Sequence, residues 1–507
     1  MYIINIRSFM KRFVLLHSVF IIMLLSSVFL LSCKKDQSFF TSEKPINTTS
    51  IRTDEQLVRD SIYYYYNLYS LWTDESIPDY NHLFRFTDSF QTNDEVLGAL
   101  KALTPTYNGY PEHVYDRFSY LQNISNSSGS TGKLLMDINN GYGIFFTIGA
   151  ATDQEAYPIV YFVEGGSPAA KSGMRRSDVV KKLNNSTNLA IPIDCSTGTC
   201  KISDETQYRN VLDLLFKSLN EPAMQITLEH QDASTETMNL QYSSYEINPI
   251  TKDSIYQSAN KNVGYLALSS FEQIENGNQN QQHIDQVFQD FQSHQIKDLI
   301  VDLRYNTGGY VDAAIYIANK IINTNGNQKL MLKYQVNKYL SQDKENGDFR
   351  DVYFQRSSQL ELGTVYFLVT NITASASEML INVLRPYMNV QIIAENNGTY
   401  GKPVGFFQQI IMNKIALWPV SFLLENANQY SDYWNGLEAN QKNVTDYVFR
   451  DFGDTKEPMI AAAINQAMPG YNNNLRSRSL RSSNSFEKVK FNNINNVSEK
   501  GLLKTHH

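Results

Sequence analysis

Thr364-Val-Tyr-Phe-Leu-Val-Thr-Asn-Ile-Thr-Ala-Ser-Ala-Ser-Glu378 decides the reading of this 507-residue chain. Val365–Val369 is a short apolar run rich in β-branched and aromatic residues, the mark of a buried strand. Asn371–Thr373 reads as a turn. From Ala374 to Tyr387, Leu380, Ile381, Val383 and Leu384 fall at helical spacing, and Pro386 marks the end. Ser375 therefore stands where a strand becomes a helix. The N–H of Ala376 is one of the unpaired first-turn donors there, and the helix dipole favours an anion at the same place. A tetrahedral intermediate on Ser375 would put its oxyanion against that end. Taken alone, Ser-Ala-Ser-Glu reads more readily as a plain helix cap, with Ser375 and Ser377 as capping residues, and the rest of the chain reverses that reading.

A second strand–turn–helix lies upstream. Asp298–Leu303 is the strand, Arg304–Gly309 the turn, and Tyr310–Ile322 an amphipathic helix carrying Ala313, Ala314, Ile317, Ala318 and Ile321. Paired glycines let the backbone approach a ligand and leave its N–H groups unobstructed. Gly309 is the candidate for a second oxyanion donor. Downstream of the serine, the strand Val390–Glu395 leads into Gly398-Thr-Tyr-Gly-Lys-Pro-Val-Gly405. An ammonium at its ordinary pKa of about 10.4 accepts no proton at neutral pH. Burial among apolar groups lowers that value and makes a base. Tyr400, Pro403, Val404 and Phe406 are candidates for the wall around Lys402. A serine nucleophile with a lysine base makes the expected activity hydrolysis of peptide bonds.

Three ordered stretches, Asp302-Leu-Arg-Tyr-Asn-Thr-Gly-Gly309, Thr373-Ala-Ser-Ala-Ser-Glu378 and Thr399-Tyr-Gly-Lys402, resemble those of the C-terminal processing peptidases. These are the tail-specific, S41-type Ser/Lys proteases. The resemblance implies Ser375 as nucleophile, Lys402 as base, and Ala376 and Gly309 as oxyanion donors. It implies a ClpP/crotonase-like α/β core of βαβ units and no cofactor or metal. The chain departs from the family in two places. Its serine and lysine stand about two residues further apart than in many members. Phe406 also stands where many members carry a glutamine, with Gln408 and Gln409 beyond it. Glu378, one helical turn below Ser375, is a candidate to position the site.

Glu164-Gly-Gly-Ser-Pro-Ala-Ala-Lys-Ser-Gly-Met-Arg-Arg-Ser-Asp-Val-Val-Lys-Lys-Leu-Asn184 resembles the central stretch of a PDZ domain, with a short helix, a glycine turn and a strand ending at an Asn turn. Gly141-Tyr-Gly-Ile-Phe-Phe-Thr-Ile-Gly149 resembles the carboxylate-binding loop and the strand that follows. Gly143, Ile144 and Phe145 are accordingly candidates to bind peptide by strand addition.

The expected organisation follows. Residues 1–33 form a lipoprotein signal, with Lys11 and Arg12 before the apolar run Phe13–Leu31 and a lipobox, Leu30-Leu-Ser-Cys33. Cys33 is the candidate for lipidation, and an uncleaved membrane-spanning anchor is the alternative. Residues 34–50 are a polar tether. Residues 51–122 form a small helical domain, 126–245 the PDZ-like domain and 246–470 the peptidase core. Residues 471–507, rich in Asn, Ser, Arg and Lys, read as a disordered tail. Cys195 and Cys200 remain; outside the cytosol they could form a disulfide. A net charge of −7 without a basic stripe excludes a nucleic-acid partner, and the eight histidines show no metal spacing. The expected place is the cell envelope, lipid-anchored to a membrane, the outer membrane first, facing the periplasm or the surface. The expected substrates are proteins or peptides. The competing expectation is a catalytically weak peptide- or glycan-binding surface lipoprotein on the same fold.

Overall fold

The computed structural model describes residues 51–124, 138–196, 199–342, 347–471, 490–496 and 501–504. Cys33, with the expected signal and tether, lies outside the described residues.

The centre is a five-stranded sheet in the order Ile250–Gln257, Asn262–Leu268, Asp298–Asp302, Thr364–Val369, Asn389–Ala394. The first pair is antiparallel and the other three pairs are parallel. These strands read as near-continuous apolar runs because both faces of the sheet are covered. Alternate side chains divide between two cores. Leu266, Leu299, Val301, Val365 and Phe367 pack with the helices Gln279–Ser293, Val311–Ile321 and Ala376–Leu384. Val263, Tyr265, Ile300, Tyr366 and Leu368 pack with Met459, Ile460, Ala463 and Ile464 of the helix Pro458–Ala467. The parallel register sets Ala267, Asp302 and Leu368 side by side. The loops that leave these strands therefore emerge at one end of the sheet, where open α/β sheets bind their ligands.

A second sheet carries the order Gly308–Tyr310, Gly501–Leu503, Val404–Phe406, Val420–Asn426, Leu330–Val336, Val352–Tyr353. A third, antiparallel sheet of eight strands builds residues 144–241 around its own core of Ile144, Phe146, Val160, Val180, Ile226 and Leu240. Its short helix Pro168–Lys171 starts at Ser167, whose hydroxyl accepts from Ala170 N–H. Gly173 and Asn184 take positive φ at the two expected turns. The Asn184–Cys200 insertion adds the strand Ile191–Asp194, which pairs with Lys201–Ile202, and Cys195 is bonded to Cys200.

Two expectations change. The helices Asp54–Tyr69 and Asn93–Ala102 form, each opened by a threonine capping box. They close no core of their own, however. Ile62, Tyr66, Val96 and Leu100 pack onto Ile411, Ile415 and Leu417, and Tyr120–Asn123 pairs with Ile415–Trp418. The segment read as disordered tail also contains two strands, Lys490–Asn493 and Gly501–Leu503. Each is held by backbone pairing to an older strand of the fold rather than by a hydrophobic pattern of its own.

Candidate active site

Ser375 lies at the carboxyl end of the sheet, in the turn between Thr364–Val369 and Ala376–Leu384. The turn is stitched to its neighbour. Thr370 Oγ1 donates to Arg304 O, and Thr373 Oγ1 donates to Leu303 O (2.8 Å). Asn306 is the hub of this arrangement. Its carbonyl accepts from Ala374 N–H (3.2 Å) and Ser377 Oγ (3.1 Å). Its side-chain oxygen accepts from Gly308 N–H (2.9 Å), and its Nδ2 donates to Leu268 O (3.2 Å). One buried asparagine thus fixes three strand-end loops against one another, and the sequence reading passed over it.

Ser375 itself adopts φ 64° and ψ −113°. A non-glycine residue held there costs on the order of 1–3 kcal/mol and persists only where its surroundings over-determine it. The residue is fully buried, and its Oγ has no hydrogen-bond partner. Leaving a buried hydroxyl unpaired costs about 1–3 kcal/mol. Strain and an unpaired hydroxyl meet in the same residue, the pattern of a side chain placed for chemistry.

Glu378 is what over-determines it. Its carboxylate is fully buried and accepts four hydrogen bonds. Oε2 takes Ser375 N–H (2.8 Å) and Lys402 N–H (2.8 Å). Oε1 takes Gly401 N–H (2.7 Å) and Thr399 Oγ1 (2.5 Å). One carboxylate therefore clamps the serine turn to the lysine loop. Burial pushes its pKa up, and the four donors oppose that shift. The loop is tied further by Tyr400 N–H to Thr373 O (2.9 Å). Gly401 sits at φ 97°, and a Cβ there would lie 2.3 Å from Trp434 O, so only glycine fits.

Lys402 is buried, with Nζ 4.9 Å from the Phe406 ring centre and 5.3 Å from that of Phe118. Phe406, where a glutamine was the family expectation, is thus part of the wall around the ammonium. Phe118 was not foreseen. It comes from the N-terminal segment, where Tyr110 Oη donates to Trp434 O (2.6 Å) beside the lysine loop. Ser375 Oγ and Lys402 Nζ are not hydrogen-bonded to each other. Such bonds in ligand-free sites often tighten only with substrate.

Gly308 and Gly309 run as a strand at φ 119° and 138°. A Cβ on Gly309 would meet Phe271 O at 2.2 Å. Ala376 opens the helix that follows Ser375. Gly143, Ile144 and Phe145 lie far along the chain, at the start of the strand Ile144–Ala150, which pairs with Glu155–Val163 on one side and Lys490–Asn493 on the other. Beneath the site, Arg304 is fully buried and pairs with Asp302 (2.6 Å), Asp446 (2.8 Å) and Glu457 (3.1 Å). Arg176 of the eight-stranded sheet reaches the same Asp446 (2.6 Å). Burial alone would raise the Asp446 pKa, but Arg176, Lys490 and Arg304 hold it well below the usual carboxylate range. Among the described residues no group of three or more histidine, cysteine or carboxylate side chains is placed to hold a metal ion.

Residues 262–414 match the family model described as peptidase family S41. The chain is 23% identical over 283 residues to the chloroplastic C-terminal processing peptidase of Tetradesmus obliquus, covering 54% of this chain and 52% of that one. It is 23% identical over 238 residues to the carboxy-terminal processing protease CtpA of Bacillus subtilis (strain 168), covering 47% and 42%. It therefore spans about half the length of these curated relatives. A crystal structure from Bacteroides fragilis NCTC 9343, described as an S41 protease, superposes with a TM-score of 0.57 at 21% identity. That match covers 80% of this chain and 96% of the other, and shows a shared fold.

Proposed function

We propose, from the premise that the chain carries a peptidase family S41 domain over residues 262–414, that it is a serine endopeptidase working through Ser375 and Lys402. The observation that carries this reading is the Glu378 carboxylate, which holds the backbone N–H of both residues on a single oxygen. In the reaction, Lys402 Nζ takes the Ser375 Oγ proton as Oγ bonds to a peptide carbonyl carbon. The carbonyl oxygen becomes an oxyanion facing the N–H groups of Ala376 and Gly309. The carbon–nitrogen bond then breaks, and Lys402 passes its proton to the leaving amine. Water, deprotonated by Lys402, hydrolyses the ester and restores both residues.

The addition of Lys490–Asn493 to Ile144–Ala150 as an extra strand supports a PDZ-like peptide-binding role for residues 126–245, with Gly143, Ile144 and Phe145 at the start of the accepting strand; the substrates on this reading are proteins of the cell envelope. The Cys195–Cys200 bond supports an oxidising compartment, and the lipobox at Cys33 a lipid anchor. A binding protein without turnover is the second reading, favoured by the missing hydrogen bond between Ser375 Oγ and Lys402. Ser375→Ala separates the two. The peptidase reading expects cleavage of an unfolded protein substrate to vanish while the melting temperature does not fall, since the hydroxyl removed is buried and unpaired. Cleavage at the wild-type rate by a clean Ser375→Ala preparation would overturn it.

A further inference from the structure

The second sheet contains a strand that belongs to neither half of the catalytic arrangement. Gly308–Tyr310 carries the candidate oxyanion donor, and Val404–Phe406 follows Lys402 directly. These two strands do not touch each other in the sheet order. Gly501–Leu503 lies between them. It pairs in parallel with Gly308–Tyr310, placing Gly309 opposite Leu502 and Tyr310 opposite Leu503. On its other side Leu503 pairs with Phe406, and Lys504 N–H donates to Phe406 O (3.1 Å). The same strand packs against the helix that Ser375 opens. Leu503 is 1% exposed, and Lys504 Nζ lies 5.0 Å from the Tyr334 ring centre. The slot it fills is one strand wide and bounded by the oxyanion and lysine segments. A peptide carbonyl would have to enter there to reach Gly309 N–H.

The same tail also fills the other strand-accepting edge. Lys490–Asn493 adds antiparallel to Ile144–Ala150, with Lys490 opposite Gly149 and Asn493 opposite Thr147. Ile494 N–H donates to Phe146 O (2.8 Å). The Asn495 side-chain amide continues the ladder, accepting from Phe146 N–H (2.8 Å) and donating to Ile144 O (2.8 Å). Tyr161 Oη donates to Asn495 O (2.8 Å). Lys490 Nζ adds ion pairs to Glu395 (3.2 Å) and Asp446 (3.3 Å). Within fifteen residues the chain thus occupies, in order, the peptide-accepting edge of one sheet and the cleft beside the nucleophile. The contact in the cleft is backbone pairing, which any extended polypeptide can supply, and the contact at Ile144–Ala150 adds the Asn495 and Lys490 side chains to such pairing.

We infer that residues 490–496 and 501–504 are a built-in competitor for polypeptide substrate, a tethered strand that a substrate must displace from both the edge at Ile144–Ala150 and the slot beside Gly309. The slot accordingly takes an extended polypeptide running parallel to Gly308–Tyr310, with an apolar side chain at the Leu503 position between Tyr310 and Phe406. This deepens the peptidase reading and rests on it only for what the tail competes against. A strand tethered on the same chain competes as if present at roughly millimolar concentration.

The binding test uses the full chain with Ser375→Ala, so that nothing is consumed. A synthetic peptide with the sequence of residues 490–504 is added at about millimolar concentration, matching the tether. Amide hydrogen exchange is then followed in both partners. The inference expects residues 490–496 and 501–504 of the chain to lose protection while Ile144–Ala150 and Gly308–Tyr310 stay protected. Tail protection unchanged at saturating peptide would overturn it.

The activity test uses Leu503→Asp in the full chain, with reduced and alkylated casein as substrate. If the slot is open in about a tenth of wild-type molecules, freeing it lowers KM about tenfold with kcat little changed. Unchanged KM at unchanged melting temperature would overturn the inference. Should Leu503→Asp unfold, the exchange experiment decides. If the tail exchanges out but neither chain cleaves casein, the peptidase reading fails and the tail's occupancy stands. If both chains cleave alike and the tail stays protected, the reverse holds.

Discussion

Replacing Glu378 by glutamine removes the charge and keeps the shape. The carboxylate accepts four hydrogen bonds, two on each oxygen. A glutamine amide keeps one oxygen and turns an NH2 group toward the other two donors. Two buried donors are then unpaired, at about 1–3 kcal/mol each, or about 2–6 kcal/mol together. Part of that loss is offset, because burial already disfavours the carboxylate and pushes its pKa up; the lower half of the range, about 2–4 kcal/mol, is expected. The two orphaned donors lie on the serine turn, the lysine loop or both, so the reacting groups lose their mutual position. A displacement of about 1 Å in such a site costs about 100-fold in rate. An internally quenched peptide assay on Glu378→Gln should therefore show kcat down about 100-fold with KM little changed, alongside a lowered melting temperature. Glu378→Asp, one methylene too short to span both loops, should behave alike. If the melting temperature falls while kcat/KM stays within about threefold, less than ~0.7 kcal/mol of barrier, the carboxylate holds the fold and does not position the chemistry.

Lys402→Arg keeps the charge but cannot give up its proton near neutral pH, since the arginine pKa exceeds about 12, so activity should fall as far as in Lys402→Ala; substantial activity in Lys402→Arg would rule Lys402 out as base. Gly309→Ala puts a Cβ 2.2 Å from Phe271 O at a φ of 138°, and should cost about 100-fold or more in kcat as an oxyanion donor moves away; a wild-type kcat would place the oxyanion elsewhere. The hydrogen bond that His230 Nδ1–H gives to the Asp178 carboxylate, opposed by burial, raises the His230 pKa above its ordinary 6.5. That contribution to stability is fully present below the unfolded pKa and lost as pH rises through the folded one. Thermal midpoints should therefore fall across that window in wild type and not in His230→Gln.

The strand–turn–helix around Ser375 was legible in the sequence because everything that builds it is contiguous. An apolar run, a short turn and a helical repeat place Ser375 without help from distant residues. The same holds for the strand and the helix of Asp298–Ile321, which fall where the periodicity puts them, whereas Gly308 and Gly309, expected in the turn, belong to the short strand Gly308–Tyr310 because a distant strand pairs with them. Glu378 was legible as a supporting residue, since it lies one helical turn from the serine; the two loops it joins were not, because Thr399 and Gly401 reach it only through tertiary packing. Phe118 was hidden for the same reason: nothing in its neighbourhood says that it faces Lys402. The helices near the N-terminus open on capping threonines that stand beside them in the chain, but the hairpin that completes their core lies some 300 residues on. The tail was misread for a different reason. Lys490–Asn493 and Gly501–Leu503, four and three residues long, are too short to show a strand pattern of their own. They owe their conformation to the edges that they pair with, and strand propensity is largely a matter of such context.

The central claim, that Ser375 is a nucleophile activated by Lys402, is tested most directly by labelling the full chain with a serine-reactive fluorophosphonate and mapping the adduct by mass spectrometry. The account predicts one adduct, on Ser375, absent from Ser375→Ala and from Lys402→Ala. An adduct on Ser377 instead, or labelling of Ser375 that persists unchanged in Lys402→Ala, would contradict it.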